Sequence, residues 1–176
     1  MKKITKILSL GILFLFAFSL QLSAQKCKYD YNKKDPITGE ETKGSTFNVS
    51  TFMGISNWKM SVNKMGNTYY IGNILNVSGN VREIIKKGET VAFKLSNGEV
   101  VTLYAQDDFL PVQQATQNGV YTQFTSKYGI DAETLQKIAE NMPTFIRLNA
   151  ESKVYEKEIP AKLGKQISQA AKCIQQ

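Results

Sequence analysis

The sequence contains no histidine, and its 176 residues include only two cysteines. Without histidine the chain cannot build the Ser-His-Asp or Cys-His arrangements of nucleophilic catalysis. HExxH zinc sites, His-Cys zinc fingers and c-type haem attachment are excluded for the same reason. Arginine is nearly as scarce, because Arg82 and Arg147 are the only two among 22 basic residues. Since arginine is preferred for bidentate recognition of phosphates and bases, this composition argues against a nucleic-acid partner.

Proline is also sparse, with 4 residues, and the 12 glycines are an ordinary number, so collagen-like and low-complexity sequence is excluded. A charged fraction of 21% and an aromatic fraction of 10% argue against a disordered chain. The length suits one domain of ordinary size with a sizeable core.

The N-terminus has the pattern of a secretory signal peptide. Three lysines and no acid precede an apolar run over residues 7–20, and the small residue Ala24 lies at the expected cleavage point. The alternative is an uncleaved membrane anchor, but a spanning helix needs about 20 apolar residues and this run is shorter. We therefore expect a signal peptide at 1–24 and a single domain at 25–176, whose net charge is +4 once the three lysines of the leader are removed from the formal +7.

A lipoprotein signal deserves consideration because Cys27 lies close to the expected cleavage point. Bacterial lipidation requires a small residue directly before the cysteine, and Lys26 occupies that position. We expect an exported protein, periplasmic or extracellular, that is not a lipoprotein and has no stable membrane anchor after signal cleavage.

The two cysteines, Cys27 and Cys173, lie near the two ends of the mature chain. In an oxidising compartment two cysteines with no other partner most simply form one disulfide. A free thiol and an intermolecular bridge are the alternatives. The spacing excludes a CxxC redox pair.

Alternating apolar and polar residues predict β-strands in the middle of the chain. The segment 58–63 alternates with a period of two, which is typical of a half-buried strand. A turn at 65–67 leads into a second strand over 68–77, in which Gly72-Asn73 predicts a bulge.

A hairpin is predicted where the strands 91–95 and 101–103 flank Asn97-Gly98, because Asn-Gly between alternating runs strongly favours a tight turn. Residues 106–130 have a less regular pattern. A further strand is expected within them, over 120–128.

Two helices and one more hairpin are predicted toward the C-terminus. Asp131 is an N-cap residue, and Pro143 ends the helix that it begins. A hairpin follows at 145–148 and 154–159, and Pro160 opens the last helix in the first-turn position. The predicted apolar faces are Leu135, Ile138, Ala139 and Met142 in the first helix and Leu163, Ile167, Ala170 and Ile174 in the second.

This order of elements predicts an α+β fold, with an antiparallel meander sheet of about six to eight strands and two helices packed on one face. Strands joined by short turns exclude a doubly wound parallel sheet. No internal repeat or linker divides the chain.

The sequence FKLSNGEVVTLY at 93–104, an amphipathic helix, Ile146-Arg147-Leu148, the segment 156–159 and a lysine-rich last helix together resemble a group of small uncharacterised exported bacterial domains. The resemblance covers roughly the last half of the chain. It implies export and a similar fold. Its residues are structural, so it implies no activity.

Asp107 and Asp108 are candidate ligand-binding residues, because they form the densest carboxylate pair and lie in a long loop. A Ca²⁺ site needs six or more oxygen ligands, and no calcium-loop motif is present. The alternative is a solvated turn. We predict no metal site and no cofactor.

Tyr104 and Tyr121 are the other candidate ligand-binding residues, as members of an aromatic surface for a glycan or a peptide. This interpretation requires that the two side chains be exposed neighbours. Core packing is the alternative for the whole set. The set comprises Tyr69, Tyr70, Tyr104, Tyr121, Phe124 and Tyr128.

A glycosidase needs only two carboxylates, so the absence of histidine leaves that chemistry open. Surface charge is the alternative role for the acids, which are Glu83, Glu99, Glu151, Glu156 and Glu158. No nucleophile motif is present, and we assign no catalytic residue. We expect a non-enzymatic binding or interaction domain whose partner is a protein or an envelope polymer, with a small exported hydrolase as the alternative.

Overall fold

The computed structural model describes residues 27–52, 55–117 and 119–176. The predicted signal peptide at 1–24 lies outside these ranges. Within them no helix is both long and apolar enough to cross a membrane. The described chain contains ten strands and two helices. In chain order they are β1 (Tyr31–Lys34), β2 (Glu41–Phe52), β3 (Ile55–Met65), β4 (Thr68–Ser78), β5 (Thr90–Leu95), β6 (Val100–Tyr104), β7 (Val112–Thr116), β8 (Gly119–Ile130), α1 (Ala132–Glu140), β9 (Pro143–Ala150), β10 (Lys153–Glu158) and α2 (Ala161–Ile174).

The strands form two sheets with antiparallel pairing throughout. The larger sheet has the order β1-β2-β3-β4-β8-β7, and the smaller has the order β10-β9-β5-β6. The antiparallel α+β architecture with two helices is confirmed. The strands, however, form two sheets rather than one meander of six to eight, because β8 returns to pair with β4 and β9 returns to pair with β5.

One core lies between the sheets. Trp58, Leu75 and Phe124 point inward from the larger sheet, and the Phe124 ring lies 6.0 Å from that of Tyr155 on β10. The prediction that both helices pack on one face of a single sheet is wrong. α2 contacts β2 and β3 of the larger sheet and β9 of the smaller one. Both sheets therefore keep an outward face.

The predicted helix ends and apolar faces are largely confirmed. The Asp131 carboxylate accepts a hydrogen bond of 2.7 Å from the backbone N–H of Thr134, and this bond lowers the pKa of Asp131. Met142 follows the end of α1 rather than lying within it. Pro160 is the N-cap residue of α2 rather than a residue of its first turn. The buried apolar residues include Leu135, Ile138 and Ala139 in α1 and Ile167, Ala170 and Ile174 in α2, whereas Leu163 is partly buried.

A disulfide joins Cys27 to Cys173, with 5.5 Å between the Cα atoms, and it confirms the predicted pairing. Next to it, the Tyr29 hydroxyl donates a 2.8 Å hydrogen bond to the carbonyl of Cys173. These contacts attach the segment before β1 to the end of α2. An internal disulfide is typical of proteins in oxidising, extracytoplasmic compartments.

The hairpin around Asn97-Gly98 forms as predicted, with β5 and β6 paired from Thr90↔Tyr104 to Lys94↔Val100. The predicted bulge at Gly72-Asn73 is wrong. The register of β4 is continuous there with both neighbours, β3 and β8.

Gly164 lies where α2 crosses the start of β9. A Cβ added at this position would lie 2.5 Å from the carbonyl oxygen of Pro143. Glycine to alanine in a helix usually stabilises by about 0.5–1 kcal/mol. Here we expect Gly164→Ala to lower the free energy of unfolding by about 1–3 kcal/mol, because the helix must move away from β9. Urea denaturation measures the change, with the exposed Lys162→Ala as a near-neutral control. A more stable Gly164→Ala protein would contradict the prediction.

Candidate functional site

The outward face of the larger sheet has a groove at Gly72. Thr46, Ser61, Gly72 and Lys127 lie opposite one another across four strands. Because Gly72 has no side chain, this row is lower than the rows on either side of it. The resulting depression, which we call the Gly72 groove, encloses about 280 Å³. Its outward-pointing lining residues are Thr46, Lys59, Ser61, Tyr70, Gly72, Ile74, Thr125 and Lys127.

Two lysines flank the Gly72 groove. Lys127 lies with its Nζ 4.1 Å from the centroid of the Tyr70 ring, a cation–π contact. Lys59 lies on the opposite side, in the row that contains Ile74. Although several of the surrounding side chains bear hydroxyl groups, the surface that lines the groove is mostly apolar, and its charges, those of the two lysines, are positive.

A hydrogen-bonded cluster supports the Tyr70 side of the groove. The Tyr31 hydroxyl donates to Oδ1 of Asn63 over 2.5 Å, and Nδ2 of Asn63 donates to Oγ of Ser61 over 2.8 Å. Burial raises the pKa of Tyr31 above its ordinary value, and the neighbouring Tyr70 raises this pKa further. The Tyr31 hydroxyl therefore stays protonated and remains a donor.

Two glycines make this cluster possible. A Cβ at Gly44 would collide with the Tyr31 hydroxyl and with Asn63, and a Cβ at Gly72 would lie 2.6 Å from Oγ of Ser61. Tyr31 therefore crosses the sheet above Gly44, and Ser61 leans over Gly72. At Gly72 the strand therefore has no bulge, contrary to the prediction, and a side chain of the neighbouring strand lies close to its backbone instead.

The two tyrosines predicted as ligand-binding residues are not neighbours. Tyr104 is 61% exposed on the smaller sheet, and Tyr121 is half-buried near the start of β8. Ala105 forms a bridge with Tyr128, seven residues along β8 from Tyr121, so the two sites are about 20 Å apart. The structure does not bring them into one surface.

The other aromatic candidates have separate environments. Phe124 and Tyr128 are buried in the core, and burial raises the pKa of Tyr128 to about 12. Tyr69 packs against the core, and its cross-strand partner is Lys64. Of the predicted aromatic set, Tyr70 is the member that lines the Gly72 groove.

Asp107 and Asp108 lie in an exposed loop. Oδ1 of Asp108 accepts a 2.7 Å hydrogen bond from the backbone N–H of Lys87, 21 residues earlier, and this bond joins the loop to the segment before β5. The described residues contain no group of three or more His, Cys, Asp or Glu side chains placed to hold a metal ion. This contact with Lys87 accounts for the position of Asp108.

Four of the five candidate glutamates form ion pairs. In each pair the partner is a lysine or an arginine within 3.2 Å, so these carboxylates are bound in structural contacts. The pairs are Glu83–Lys153, Glu99–Lys137, Glu151–Lys86 and Glu156–Arg147. Glu158 is exposed at the end of β10.

A larger depression of about 470 Å³ lies beside the disulfide, between β2 and α2. Its acid, Asp30, accepts a 2.6 Å hydrogen bond from the backbone N–H of Thr46. Lys28 and Lys165 line it with Asp30, so its charges are mixed. We assign the site to the smaller Gly72 groove because its charges have one sign and its wall is held by an ordered cluster.

Most of the groove was missed from the sequence, although the pattern contained part of it. The outward half of the strand 58–63 is Lys59, Ser61 and Asn63, and all three belong to the groove or its supporting cluster. Tyr31 and Lys127 join them only through strand pairing. Comparison of the chain with family models, curated proteins and solved structures finds no match.

Proposed function

We propose that this protein is an exported, non-enzymatic binding domain that holds its ligand in the Gly72 groove. The observation that carries the proposal is the groove itself, an open surface with an aromatic ring, hydroxyl groups and two lysines, all on β-strands. Sites built on strands hold their side chains more firmly than sites built on loops. The proposed partner is an envelope polymer, since an open groove accommodates part of an extended chain.

The position of the acids favours binding over hydrolysis. A glycosidase requires two carboxyl groups about 5–10 Å apart, on either side of the bond to be cleaved. The Gly72 groove has no aspartate or glutamate among its lining residues. The glutamates considered for catalysis lie elsewhere, and four of them are held by basic partners.

Amide chemical-shift mapping of the oxidised mature domain with soluble envelope-type glycans tests the proposal. We expect perturbations at Ser61, Tyr70 and Gly72, and Tyr70→Ala should weaken binding by about fivefold to tenfold through loss of ring contact. Tyr104→Ala, on the other sheet, is the matched control and should leave affinity unchanged. Perturbations centred on Tyr104 or Tyr121, or release of new reducing ends from the glycan, would contradict the proposal.

A further inference from the structure

We infer that the ligand of the Gly72 groove is an acidic polysaccharide, whose carboxylates or other anionic groups bind Lys59 and Lys127. This inference rests on the proposed function and specifies its ligand class. It follows from the distribution of charge over the two outward faces of the molecule.

The outward face of the larger sheet has charges of one sign. Among its described strand residues, the charged side chains are Lys33, Lys59 and Lys127, and none is acidic. The nearby acid, Asp30, precedes β1, and its carboxylate is bound to the backbone N–H of Thr46. An anionic chain on this face therefore encounters three cations and one acid that already has a partner.

The outward face of the smaller sheet provides the contrast. There Lys94 and Arg147 lie among Glu156 and Glu158, and Arg147 pairs with Glu156 over 2.9 Å. Positive charge on that face is balanced by acids on the adjacent strand. The excess of positive charge is thus a property of the face that has the groove.

The spacing of the two lysines suits a polymer with repeated charges. Lys59 and Lys127 lie two strands and two residues apart, which separates their Cα atoms by about 12 Å. Two acidic sugars of one chain can each meet one ammonium group at this distance. Thr46, Ser61 and Thr125, between and beside the lysines, supply hydrogen bonds to the sugar hydroxyl groups.

An anionic membrane surface fits the groove less well. Peripheral binding to lipid needs apolar side chains that enter the interface, together with basic residues. Ile74, 37% exposed, is the apolar side chain that the groove presents outward. One partly exposed aliphatic side chain is too little for insertion into a lipid interface, so a polymer of acidic sugars is favoured instead.

The experiment compares oligogalacturonate with the same oligosaccharide after complete methyl esterification, using calorimetry at low salt. We expect the acidic form to bind at least tenfold more tightly, and its affinity to fall as salt rises through screening. Lys59→Gln and Lys127→Gln should each weaken its binding by about threefold to fivefold. Lys94→Gln, an exposed lysine of the other sheet, is the matched control and should change nothing.

Each other outcome has a distinct meaning. Equal binding of both oligosaccharides at the groove overturns the inference and leaves the proposed function standing. Loss of binding in Lys94→Gln but not in the groove variants overturns both. Binding to phosphatidylglycerol vesicles but not to the oligosaccharides overturns the polysaccharide assignment. Failure to bind oligogalacturonate, heparin and poly(glycerol phosphate) overturns the inference, provided that the protein melts at its usual temperature.

Discussion

Replacing both cysteines, Cys27→Ser together with Cys173→Ser, will lower the free energy of unfolding by up to about 5 kcal/mol. The bond closes a loop across a sequence separation of 146 residues, so its loss frees much conformational entropy in the unfolded chain. Urea denaturation of the oxidised protein and of the double variant measures the difference. The value of about 5 kcal/mol is the upper bound that loop closure alone gives. Typical disulfides contribute about 2–4 kcal/mol to the free energy of unfolding.

Two controls identify the cause of this loss. The oxidised protein treated with a thiol reductant should unfold at the same urea concentration as the double variant, because both lack the same bond. Tyr29→Phe removes only the 2.8 Å hydrogen bond to the carbonyl of Cys173, so it should cost about 1 kcal/mol. Equal midpoints for the oxidised protein and the double variant would show that the disulfide contributes nothing to stability.

The disulfide also bears on the groove. Cys27 lies four residues before Tyr31, whose hydroxyl supports Asn63 and, through it, Ser61. Since β1 is an edge strand of only four residues, the disulfide is a main restraint on its position. We therefore expect the double variant to lose hydrogen-exchange protection first in β1, and to bind the groove ligand less tightly than the oxidised protein.

Local sequence patterns predicted the elements that depend on local contacts. The Asn97-Gly98 hairpin and the Asp131 cap each involve residues within a few positions of one another, and both formed as predicted. The division into two sheets depends instead on pairing between β4 and β8, about fifty residues apart. Turn chemistry contains no information about that pairing, so a single meander was the simplest expectation.

The candidate site was harder to predict for the same reason. Thr46, Ser61, Gly72 and Lys127 form one row only because three strand registers align them. Gly72 has the ordinary extended conformation of a strand residue, and its effect comes from the absence of a side chain beneath Ser61. A glycine within a strand indicates either a bulge or a close approach, and the neighbouring strand decides between them. Tyr104 and Tyr121 share a residue type, but the strand registers place them far apart.

Trp58→Ala will lower the free energy of unfolding by about 3–5 kcal/mol. Trp58 is 1% exposed on β3 and is one of the largest fully buried side chains of the described chain. Its Nε1 donates a 3.1 Å hydrogen bond to Oδ1 of Asn73. Truncation leaves a cavity in the core and also deprives Asn73 of this donor. Nδ2 of Asn73 has no hydrogen-bond partner among the described residues, so the variant leaves the whole buried amide without a side-chain partner.

Unfolding of this variant must be followed by circular dichroism, because Trp58 is the chain's single tryptophan. Trp58→Phe keeps most of the apolar volume and removes the donor, so the difference between the two variants separates cavity formation from the lost hydrogen bond. Val100→Ala, at an exposed position, should stay within about 0.5 kcal/mol of the parent. A loss in Trp58→Ala no larger than that of Val100→Ala would show that β3 is not anchored by its inward face. The outward residues Lys59 and Ser61 alternate with Trp58 and Met60 on this strand, so the same anchoring determines how firmly the groove holds its shape.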